Sequence, residues 1–402
     1  MRVLVPNLGS TSLKYQLLDM EGERVLTRGK IERIGSEQAL ITTWDAEGQA
    51  SKSTAPMRNH RAAIQLLIDH LNQLTLGGPQ ASVIGAVGFK AVHGGPQYRG
   101  SFLIGDELLA AMQEFVVVAP VHNPVYLQAM QVFREILPGV PMVAVFETGF
   151  HATIPEQAYV YGVPFAWLEK YGVRRYGFHG SSHRYVSRRA PEVMGRAAAS
   201  LRLISCHLGG TSSLCAIQNG RSVDNTLGFS PQSGLEHAAR SGELDPFAVL
   251  YIMEKENLSP SEISSLLCKK SGLLGISGVS SDVRDLEEAA AQGHHRAALA
   301  LDVFIYEIKK YLGAYAAALG GLDAVAFAGG IGENSWRVRE GVCQGMEFLG
   351  LHLDPEKNRA AGGADRVMSR PDSPAAIAVI YTNEELMVAQ ETVRVLAESH
   401  DK

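Results

Sequence analysis

Apolar runs of strand length alternate along this chain with stretches whose apolar residues recur at helical spacing. Residues 60–74 have the helical spacing, whereas 83–95 form a strand-like run that ends in a glycine turn. Polar stretches at 52–57 and 360–374 are typical of surface loops. The other predicted elements are a helix from Asp106, a buried strand in 141–151, a long helix over 298–319, a strand with a glycine turn over 321–334, and a strand with a capped helix over 374–398. The alternation predicts a mixed α/β protein.

The opening of the chain is repeated about two hundred residues later. Residues 3–19 read VLVPNLGSTSLKYQLLD and residues 203–223 read LISCHLGGTSSLCAIQNGRSV, so that each contains two apolar strands around a Gly/Ser/Thr turn. The matching positions are Gly9 with Gly209, Thr11 with Thr211 and Ser12 with Ser212. Because one such hairpin opens each half, the repetition predicts a duplicated domain, with the two halves facing each other across a cleft.

Composition narrows the class of protein. A chain of 402 residues exceeds what one hydrophobic core usually organises, so two domains are expected. The net charge of −5 and the pI near 6.2 argue against a nucleic-acid partner or an anionic membrane surface. The four cysteines lack CxxC spacing, and the sequence shows neither a signal peptide nor an apolar run of about 20 residues. A cytoplasmic location is therefore expected.

The two hairpins are candidates for binding an anion. Small hydroxyls and backbone N–H groups at a glycine turn form a concave anion site, and Lys14 on the returning strand adds a positive charge. One hairpin from each half would hold the phosphates of a nucleotide; the alternative is a pair of ordinary hairpin turns, which prefer the same residues. The run FAGGIGEN (327–334) would let the backbone lie against a purine or a ribose. It has neither GxGxxG spacing nor a Walker A lysine, so a P-loop is excluded.

Other polar residues stand at strand ends or in loops. They are Lys90, His93, His122, Glu147, His151, His179, His183, Arg240, Asp282 and Arg284. Any one of these histidines is more often a hydrogen-bonded structural residue, and their spacing does not suit a zinc site. As a set they supply scattered cations and a few carboxylates, which are the groups that phosphoryl transfer needs for positioning and charge stabilisation.

Eight motifs make the chain similar to one family. They are NLGSTSLKYQLLD, VHGG, APVHNP, RRYGFHGSSH, ARSGELDP, SGLLGISGVSSDVRD, FAGGIGENS and TNEEL, which run almost from end to end. In wording, order and spacing they resemble the acetokinase family, within the superfamily of acetate and sugar kinases, Hsp70 and actin. The resemblance implies an α/β fold of two duplicated ribonuclease H-like, actin-like ATPase domains. The implied domains are 1–149 with a returning helix at 384–402, and 150–383, which binds nucleotide and forms a homodimer.

The resemblance also implies an activity. Acetokinases transfer the γ-phosphoryl of ATP reversibly and in line to acetate, giving acetyl phosphate and ADP with Mg²⁺ or Mn²⁺. The implied metal ligands are Asn7 and Glu384, and the implied catalytic residues are Lys90, Glu147, His179 and Arg240. The implied acyl pocket comprises Lys90, Val92, Val121, Phe178 and Pro231. The implied nucleotide contacts are Ser10, Ser12, Lys14, His207, Leu208, Gly209, Gly210, Thr211, Asp282, Val283, Arg284, Gly330, Ile331, Gly332, Glu333 and Asn334.

Four positions depart from the family pattern. Lys90 replaces an arginine, Glu147 an aspartate, Gly210 an asparagine and Val283 a phenylalanine. Lysine keeps the charge without the bidentate geometry, and glutamate is longer than aspartate by one methylene, roughly 1.5 Å. A longer acid facing a more compact cation suggests a compensating pair. Propionate or butyrate kinase activity, or a catalytically impaired nucleotide-binding relative, are the alternatives.

Overall fold

The computed structural model describes residues 1–73, 84–118, 123–360 and 362–400. It divides into two compact units, one of Met1–Gly149 with Asn383–Lys402 and the other of Phe150–Thr382. The returning segment of the first unit begins at Asn383, one residue before the start expected from the sequence. No helix in the described part of the chain is long and apolar enough to cross a membrane.

The first unit is built on an eight-stranded sheet. Its strands are β1 (Arg2–Gly9), β2 (Ser12–Asp19), β3 (Arg24–Glu32), β4 (Ser36–Trp44), β5 (Ala50–Met57), β6 (Ala86–Ala91), β7 (Ser101–Leu103) and β8 (Met142–Phe146). Its helices before residue 150 are α1 (His60–Gln73), α2 (Asp106–Glu114) and α3 (Asn123–Ile136). The strand order is β5-β4-β3-β2-β1-β6-β8-β7, in which β1, β6 and β8 run parallel.

The second unit follows with a six-stranded sheet. Its strands are β9 (Arg202–His207), β10 (Ser213–Gln218), β11 (Arg221–Asn225), β12 (Ala324–Ala328), β13 (Arg366–Val367) and β14 (Ala376–Val379). Its helices are α4 (Glu156–Tyr159), α5 (Ala166–Tyr171), α6 (Gly180–Met194), α7 (Pro246–Glu256), α8 (Pro260–Lys269), α9 (Gly272–Ser277), α10 (Val283–Ala291), α11 (His295–Ala318), α12 (Gly329–Asn334), α13 (Trp336–Cys343) and α14 (Pro355–Arg359). Helix α15 (Glu384–His400) then returns to the first unit.

The two sheets share one core topology. The second sheet has the order β11-β10-β9-β12-β14-β13, so its first five strands repeat the arrangement β3-β2-β1-β6-β8 of the first. In both, two antiparallel hairpins lead into parallel strands. The duplication expected from the repeated opening hairpin is therefore present in the strand order.

Helices cover both faces of each sheet, because side chains alternate between the faces of a strand. In the first unit, Leu4 belongs to a core with α1 and α3, while Val3 and Val5 pack with Val388 of α15. In the second unit, Ile204 faces α11 and its neighbour Leu203 faces α6. Residues on these strands are almost fully buried, as their near-continuous apolar sequence requires.

Two expected loops have a different structure. Residues 52–57 belong to strand β5, which is the outer strand of its sheet and pairs only with β4. An outer strand can be polar on both faces, so its sequence lacks the apolar alternation of a strand. The glycine run after β12 is the short helix α12, and residues 366–367 within the other expected loop form β13. Residues 74, 83 and 361 of the predicted elements lie outside the described residues.

Candidate active site

A cluster of polar side chains surrounds Lys90 in the first unit. Lys90 lies near the carboxyl end of β6, and its Nζ donates to Glu384 Oε2 at 2.7 Å, at the first residue of α15. Glu147 follows β8 directly and is buried. Burial alone would lower the pKa of Lys90, but the carboxylates of Glu384 and Glu147 outweigh it and raise the pKa. The lysine therefore stays charged beside two carboxylates.

Tyr126 of α3 connects this cluster to β1. Its hydroxyl donates to Asn7 Oδ1 at 3.4 Å and accepts from the Leu8 backbone N–H at 3.4 Å. Burial raises the pKa of Tyr126, Lys90 lowers it, and Glu147 and Glu384 raise it further. The amide of Asn7 and the two carboxylates thus gather at the carboxyl ends of three parallel strands, where α/β sheets commonly bind ligands.

The donor atoms of this cluster suit a hard divalent cation. Mg²⁺ prefers oxygen ligands and usually keeps several waters, so it needs only one or two carboxylates from a protein. Glu384, Glu147 and the Asn7 amide supply such oxygens. Among the described residues, no group of three or more histidine, cysteine, aspartate or glutamate side chains forms a closed metal site.

The first hairpin presents its polar residues to solvent. Ser10 and Lys14 are exposed, Ser12 is partly exposed, and Lys14 lies directly opposite Asn7 in the β1–β2 pairing. A ring nitrogen of His60, the first residue of α1, hydrogen-bonds the Gly9 carbonyl oxygen at 2.9 Å. The turn is therefore fixed from behind while its hydroxyls and its lysine remain accessible.

The second unit contains a cavity of about 620 Å³ at the predicted nucleotide residues. The cavity is lined by Gly209, Gly210, Ala238, Ser281, Asp282, Val283, Arg284, Glu287, Gly330, Ile331, Asn334 and Ser335. Eight of the sixteen residues expected to contact nucleotide are in this lining. A Cβ at Gly210 would meet no heavy atom within 4 Å, so the first carbon of the asparagine that the resemblance implies there has room.

Helix α12 is held against the second hairpin by its backbone. Leu208 N–H donates to the Ala328 carbonyl, and Ile331 N–H donates to the Leu208 carbonyl, both at 2.8 Å. Gly329 has φ +74°, and a Cβ there would lie 2.7 Å from the Leu208 oxygen, so this position requires glycine. Glu333 Oε1 accepts from the N–H of Gly329 and of Thr382, so Glu333 serves to hold its own loop.

Asp282 and Arg284 bind each other in this structure. Asp282 caps α10 by accepting from Arg284 N–H at 2.9 Å, and its Oδ2 accepts from Arg284 Nη2 at 2.6 Å. These hydrogen bonds lower the pKa of Asp282 to about 2. Val283, the first residue of α10, is buried. The Arg284 side chain is 87% exposed, so it is available to a ligand in the cavity.

His179 stands at the start of α6 in a strained conformation. Its φ of +57° and ψ of +34° place it in the left-handed region, which is unfavourable for a residue with a Cβ. Its Nδ1 lies 2.7 Å from Ser213 Oγ, and its ring centroid lies 4.3 Å from that of His207 at the end of β9. The packing around His179 therefore fixes an unusual side-chain direction.

Arg240 lies half-buried in the loop after β11. Its Nη1 donates to the Pro231 carbonyl at 3.1 Å, and burial lowers its pKa, although the nearby Cys268 raises it. No carboxylate forms an ion pair with Arg240 in the described part of the chain. Such a guanidinium can grip an oxyanion through two parallel N–H groups.

The residues expected to form the acyl pocket are divided between the units. Phe178 and Pro231 are buried in the second unit, and Val92 is partly buried in the first. Val121, together with His122, lies outside the described residues. The acyl pocket itself therefore stays a prediction.

Three residues near these sites carried no signal in the sequence analysis. Tyr126 connects Asn7 to the Lys90 cluster. His237 Nδ1 accepts from the Ser212 backbone N–H at 3.0 Å, and burial together with Arg240 lowers the pKa of His237 to about 3. Arg339 is fully buried and donates to the carbonyls of Gly332 and Glu333. Tyr126 stands two residues after APVHNP and His237 stands two residues before ARSGELDP, so proximity in sequence would have found two of the three.

The relatives of the chain agree with its fold and its motifs. A model described as the acetokinase family matches residues 2–390. The chain belongs to this family. It is 48% identical over 397 residues to an acetate kinase of Desulfitobacterium hafniense (strain DSM 10664 / DCB-2), covering 98% of this chain and 99% of the relative. The resemblance read from eight motifs is thereby confirmed.

Solved structures of similar chains have the same fold. The acetate kinase of Porphyromonas gingivalis is 42% identical, with a TM-score of 0.89 over 98% of this chain and 99% of that one. A propionate kinase from Francisella tularensis is 33% identical, with a TM-score of 0.90 over 98% and 99%. The predicted α/β class with a duplicated domain is confirmed by the shared topology of the two sheets, and these family members have the same fold.

Proposed function

We propose that this chain is an acetate kinase, which transfers the γ-phosphoryl of ATP reversibly to acetate and yields acetyl phosphate and ADP. The observation that carries the proposal is the 48% identity, over almost the whole length, to a relative named acetate kinase. Transfer is direct, with the acetate carboxylate attacking phosphorus in line. Such a reaction depends on positioning and charge stabilisation.

The nucleotide is assigned to the second unit. Its nucleoside occupies the 620 Å³ cavity beside Asp282, Val283 and α12, and its phosphates extend to the hairpin from His207 to Thr211. The glycines in the cavity lining and the exposed Arg284 support this assignment. The first hairpin is also assigned to the phosphates. The hydroxyls of Ser10 and Ser12 and the ammonium group of Lys14 are accessible there and can bind an anion.

His179 and Arg240 are assigned to binding the phosphoryl group while it is being transferred. Arg240 would bind two equatorial oxygens through its planar fork, and His179 would donate a hydrogen bond to a third. Lys90, kept charged by its carboxylate neighbours, is assigned to the acetate carboxylate. The burial of Glu147 close to Lys90 supports a role for this carboxylate in the same step.

Mg²⁺, or Mn²⁺ in its place, is assigned to the first unit. Asn7 and Glu384 would hold the ion. Glu147 lies close by, since its charge, like that of Glu384, raises the pKa of Lys90. When bound, the ion would neutralise charge on the phosphate oxygens and so favour attack by an anion.

Acetate is the preferred acceptor, and propionate kinase activity is the second candidate. The similarity to a propionate kinase supports that alternative. Val92, Val121, Phe178 and Pro231 would enclose the methyl group, and an apolar pocket separates acids that differ by one methylene by only about 1–3 kcal/mol. A rise in activity from acetate to propionate to butyrate would favour the alternative.

The proposal includes a cytoplasmic homodimer formed by the second unit. Helix α7 has no buried residue, and it exposes Phe247, Leu250 and Tyr251 on its surface. An apolar surface of this kind is typical of a protein interface. A second copy of the chain is the partner that the family resemblance implies.

The decisive experiment traps the acyl phosphate as a hydroxamate. Purified protein is incubated with ATP, Mg²⁺ and acetate, and then with propionate and butyrate in parallel. We expect acetyl hydroxamate to form only when ATP and the metal are both present. Arg240→Leu serves as a matched variant, since it removes the fork while keeping bulk in the loop. Nucleotide binding without any hydroxamate would instead identify a non-catalytic relative.

A further inference from the structure

A chain of hydrogen bonds leads from His179 into the interior of the second unit. Ser213 Oγ lies 2.7 Å from His179 Nδ1 and 2.8 Å from His183 Nε2. The other ring nitrogen of His183, Nδ1, lies 2.8 Å from Ser205 Oγ. We call Ser205, His183 and Ser213 the relay. The rings of His179 and His183 are thus joined through the Ser213 hydroxyl, and the His183 ring is joined in turn to the Ser205 hydroxyl.

The relay is closed to solvent and uncharged. Ser205, His183 and Ser213 are each 0% exposed. Burial is the main reason that the pKa of His183 lies well below its usual value, and the neighbouring rings of His151 and His207 lower it further. Those rings face His183 with centroids at 5.7 and 6.3 Å, from the 3₁₀ segment Gly149–Thr153 and from β9. His183 is therefore a neutral imidazole with one N–H.

The direction of the hydrogen bonds follows from Ser205. Among the described residues, its hydroxyl has His183 Nδ1 as its hydrogen-bond partner. The Ser205 proton must therefore be donated to that nitrogen, because the opposite direction would leave a buried hydroxyl proton without an acceptor. His183 then carries its own proton on Nε2 and donates it to Ser213 Oγ.

The same count continues to His179. Since Ser213 accepts from His183, its single proton is donated to Nδ1 of His179. A histidine whose Nδ1 accepts a hydrogen bond cannot be an imidazolium, and a neutral ring then carries its proton on Nε2. The hydrogen bonds therefore determine both the tautomer and the charge of His179. Ser213 bonds His179 directly, whereas His183 and Ser205 act through Ser213.

We propose that Ser205, His183 and Ser213 are positioning residues that hold His179 as a neutral imidazole with its proton on Nε2. The functional importance of this inference rests on the proposed function, in which the Nε2–H of His179 donates to a phosphoryl oxygen. A neutral N–H donor can stabilise the negative charge that develops on the phosphoryl oxygens throughout the neutral pH range, because the ring does not gain or lose a proton there. The protonation state itself can be measured whether or not the chain is a kinase.

The test is nitrogen NMR of the full chain labelled with ¹⁵N in its histidine rings. The His179 signals are assigned by comparison with a His179→Gln variant. In the wild type we expect an unprotonated Nδ1 and a protonated Nε2 that persist from about pH 8 to about pH 6, the range in which an ordinary histidine titrates. A protonated Nδ1 in this range would overturn the proposal, whatever the activity of the sample.

Variants then separate the relay from general packing. Ser213→Ala removes the donor to Nδ1, so His179 should become doubly protonated as the pH approaches about 6. Ser213→Thr keeps the hydroxyl and should restore the wild-type signals. The matched control is Ser222→Ala, which removes an equally buried serine from His151 Nδ1 at 2.8 Å and should leave His179 unchanged. An unchanged His179 in both Ser213→Ala and Ser205→Ala would refute the inference.

Kinetics provide the second readout if the protein has the proposed activity. Ser213→Ala should lower kcat by about tenfold at neutral pH, with the KM for ATP changed by less than about twofold, since the ground-state nucleotide contacts are intact. It should also give kcat a dependence on pH near about 6 that the wild type lacks. Equal losses in Ser213→Ala and Ser213→Thr would point to packing alone and against the relay.

Discussion

Lys90 stands among polar side chains that the fold brings together from distant parts of the chain. Its ammonium group bonds Glu384, almost three hundred residues away, and lies in the field of Glu147. The family resemblance read from the sequence implies an arginine at position 90 and an aspartate at position 147. The hydrogen bond to Glu384 adds a third member to the compensating pair inferred from the sequence.

The compensation predicts a non-additive double-mutant cycle. Lys90→Arg or Glu147→Asp alone should lower kcat by about 10- to 100-fold, because a displacement of about 1 Å at a reacting centre has effects of this size. The double variant should recover most of the wild-type rate. The control is Lys30→Arg, whose pair with Glu32 lies at the surface of the same unit. Additive losses in the cycle would contradict the compensation.

At this scale the sequence predicted which residues are polar and where, but not what they bind. Motifs identified Lys90, His179 and Arg240 because their neighbours in sequence are distinctive. Tyr126, His237 and Arg339 act through contacts between elements far apart in the chain, such as the 3.0 Å bond from Ser212 N–H to His237. A local pattern contains no information about such contacts.

Helix α10 depends on one residue that also faces the nucleotide cavity. Asp282 is its N-cap and lines the cavity together with Arg284. An N-cap side chain satisfies a backbone N–H that has no partner within the helix. The structural and the binding roles of Asp282 can therefore be separated by choosing the substituent.

Asp282→Ala should lower the free energy of unfolding by about 0.5–2 kcal/mol, whereas Asp282→Asn, which still caps, should change it far less. The pKa of Asp282 is lowered to about 2 chiefly by Arg284, so its charge stabilises the fold above the unfolded pKa of about 4 and that stabilisation is lost as the pH falls toward 2. The Asn variant should lack this acid dependence. Urea titrations at pH 7 and pH 3 check both points. Because the Asp282 side chain is 38% exposed, equal acid dependence in wild type and Asn variant would mean that solvent screens the pair.

Elements with regular apolar periodicity were predicted best. The expected helices over 60–74 and 298–319 correspond to α1 and α11, and the strand expected in 141–151 corresponds to β8. Strand β5 was missed because an outer strand needs no apolar face, and α12 was missed because its glycines disfavour helices in isolation. In α12 the hydrogen bond from Ile331 N–H to Leu208 supplies what local propensity lacks.

The surface of α7 bears on how many copies of the chain associate. Phe247 is 75% exposed, and Leu250 and Tyr251 on the same helix are each more than half exposed. Phe348, in the 3₁₀ turn Glu347–Leu349, is equally exposed, at 77%, but stands apart from α7 in the sequence. The two phenylalanines therefore form a matched pair for testing which surface is an interface.

Sedimentation of the wild type should give a dimer, and Phe247→Glu should weaken association by at least about tenfold, because it places a charge within an apolar contact. Phe348→Glu should remain dimeric. A monomeric wild type, or a dimer disrupted by Phe348→Glu rather than Phe247→Glu, would remove the α7 surface from the proposal. Circular dichroism of both variants shows whether each is folded.

For the molecule as a whole, the sequence predicted the duplication because two hairpins two hundred residues apart share one pattern. The strand orders of the two sheets agree with it. The sequence did not predict the outer strands β4 and β5, which belong to the first sheet alone. Strands that have no counterpart in the second half cannot be found by comparing the two halves of the sequence.

Helix α15 has a consequence for biosynthesis. Val388 and its neighbours on α15 cover Val3, Val5 and Val143, and Glu384 pairs with Lys90, yet all of the second unit is translated in between. At about 5–20 residues per second, the ribosome leaves this apolar sheet face bare for ten seconds or longer. The first unit therefore completes its core only after the second unit has been synthesised, and we expect its nascent form to expose apolar surface until then.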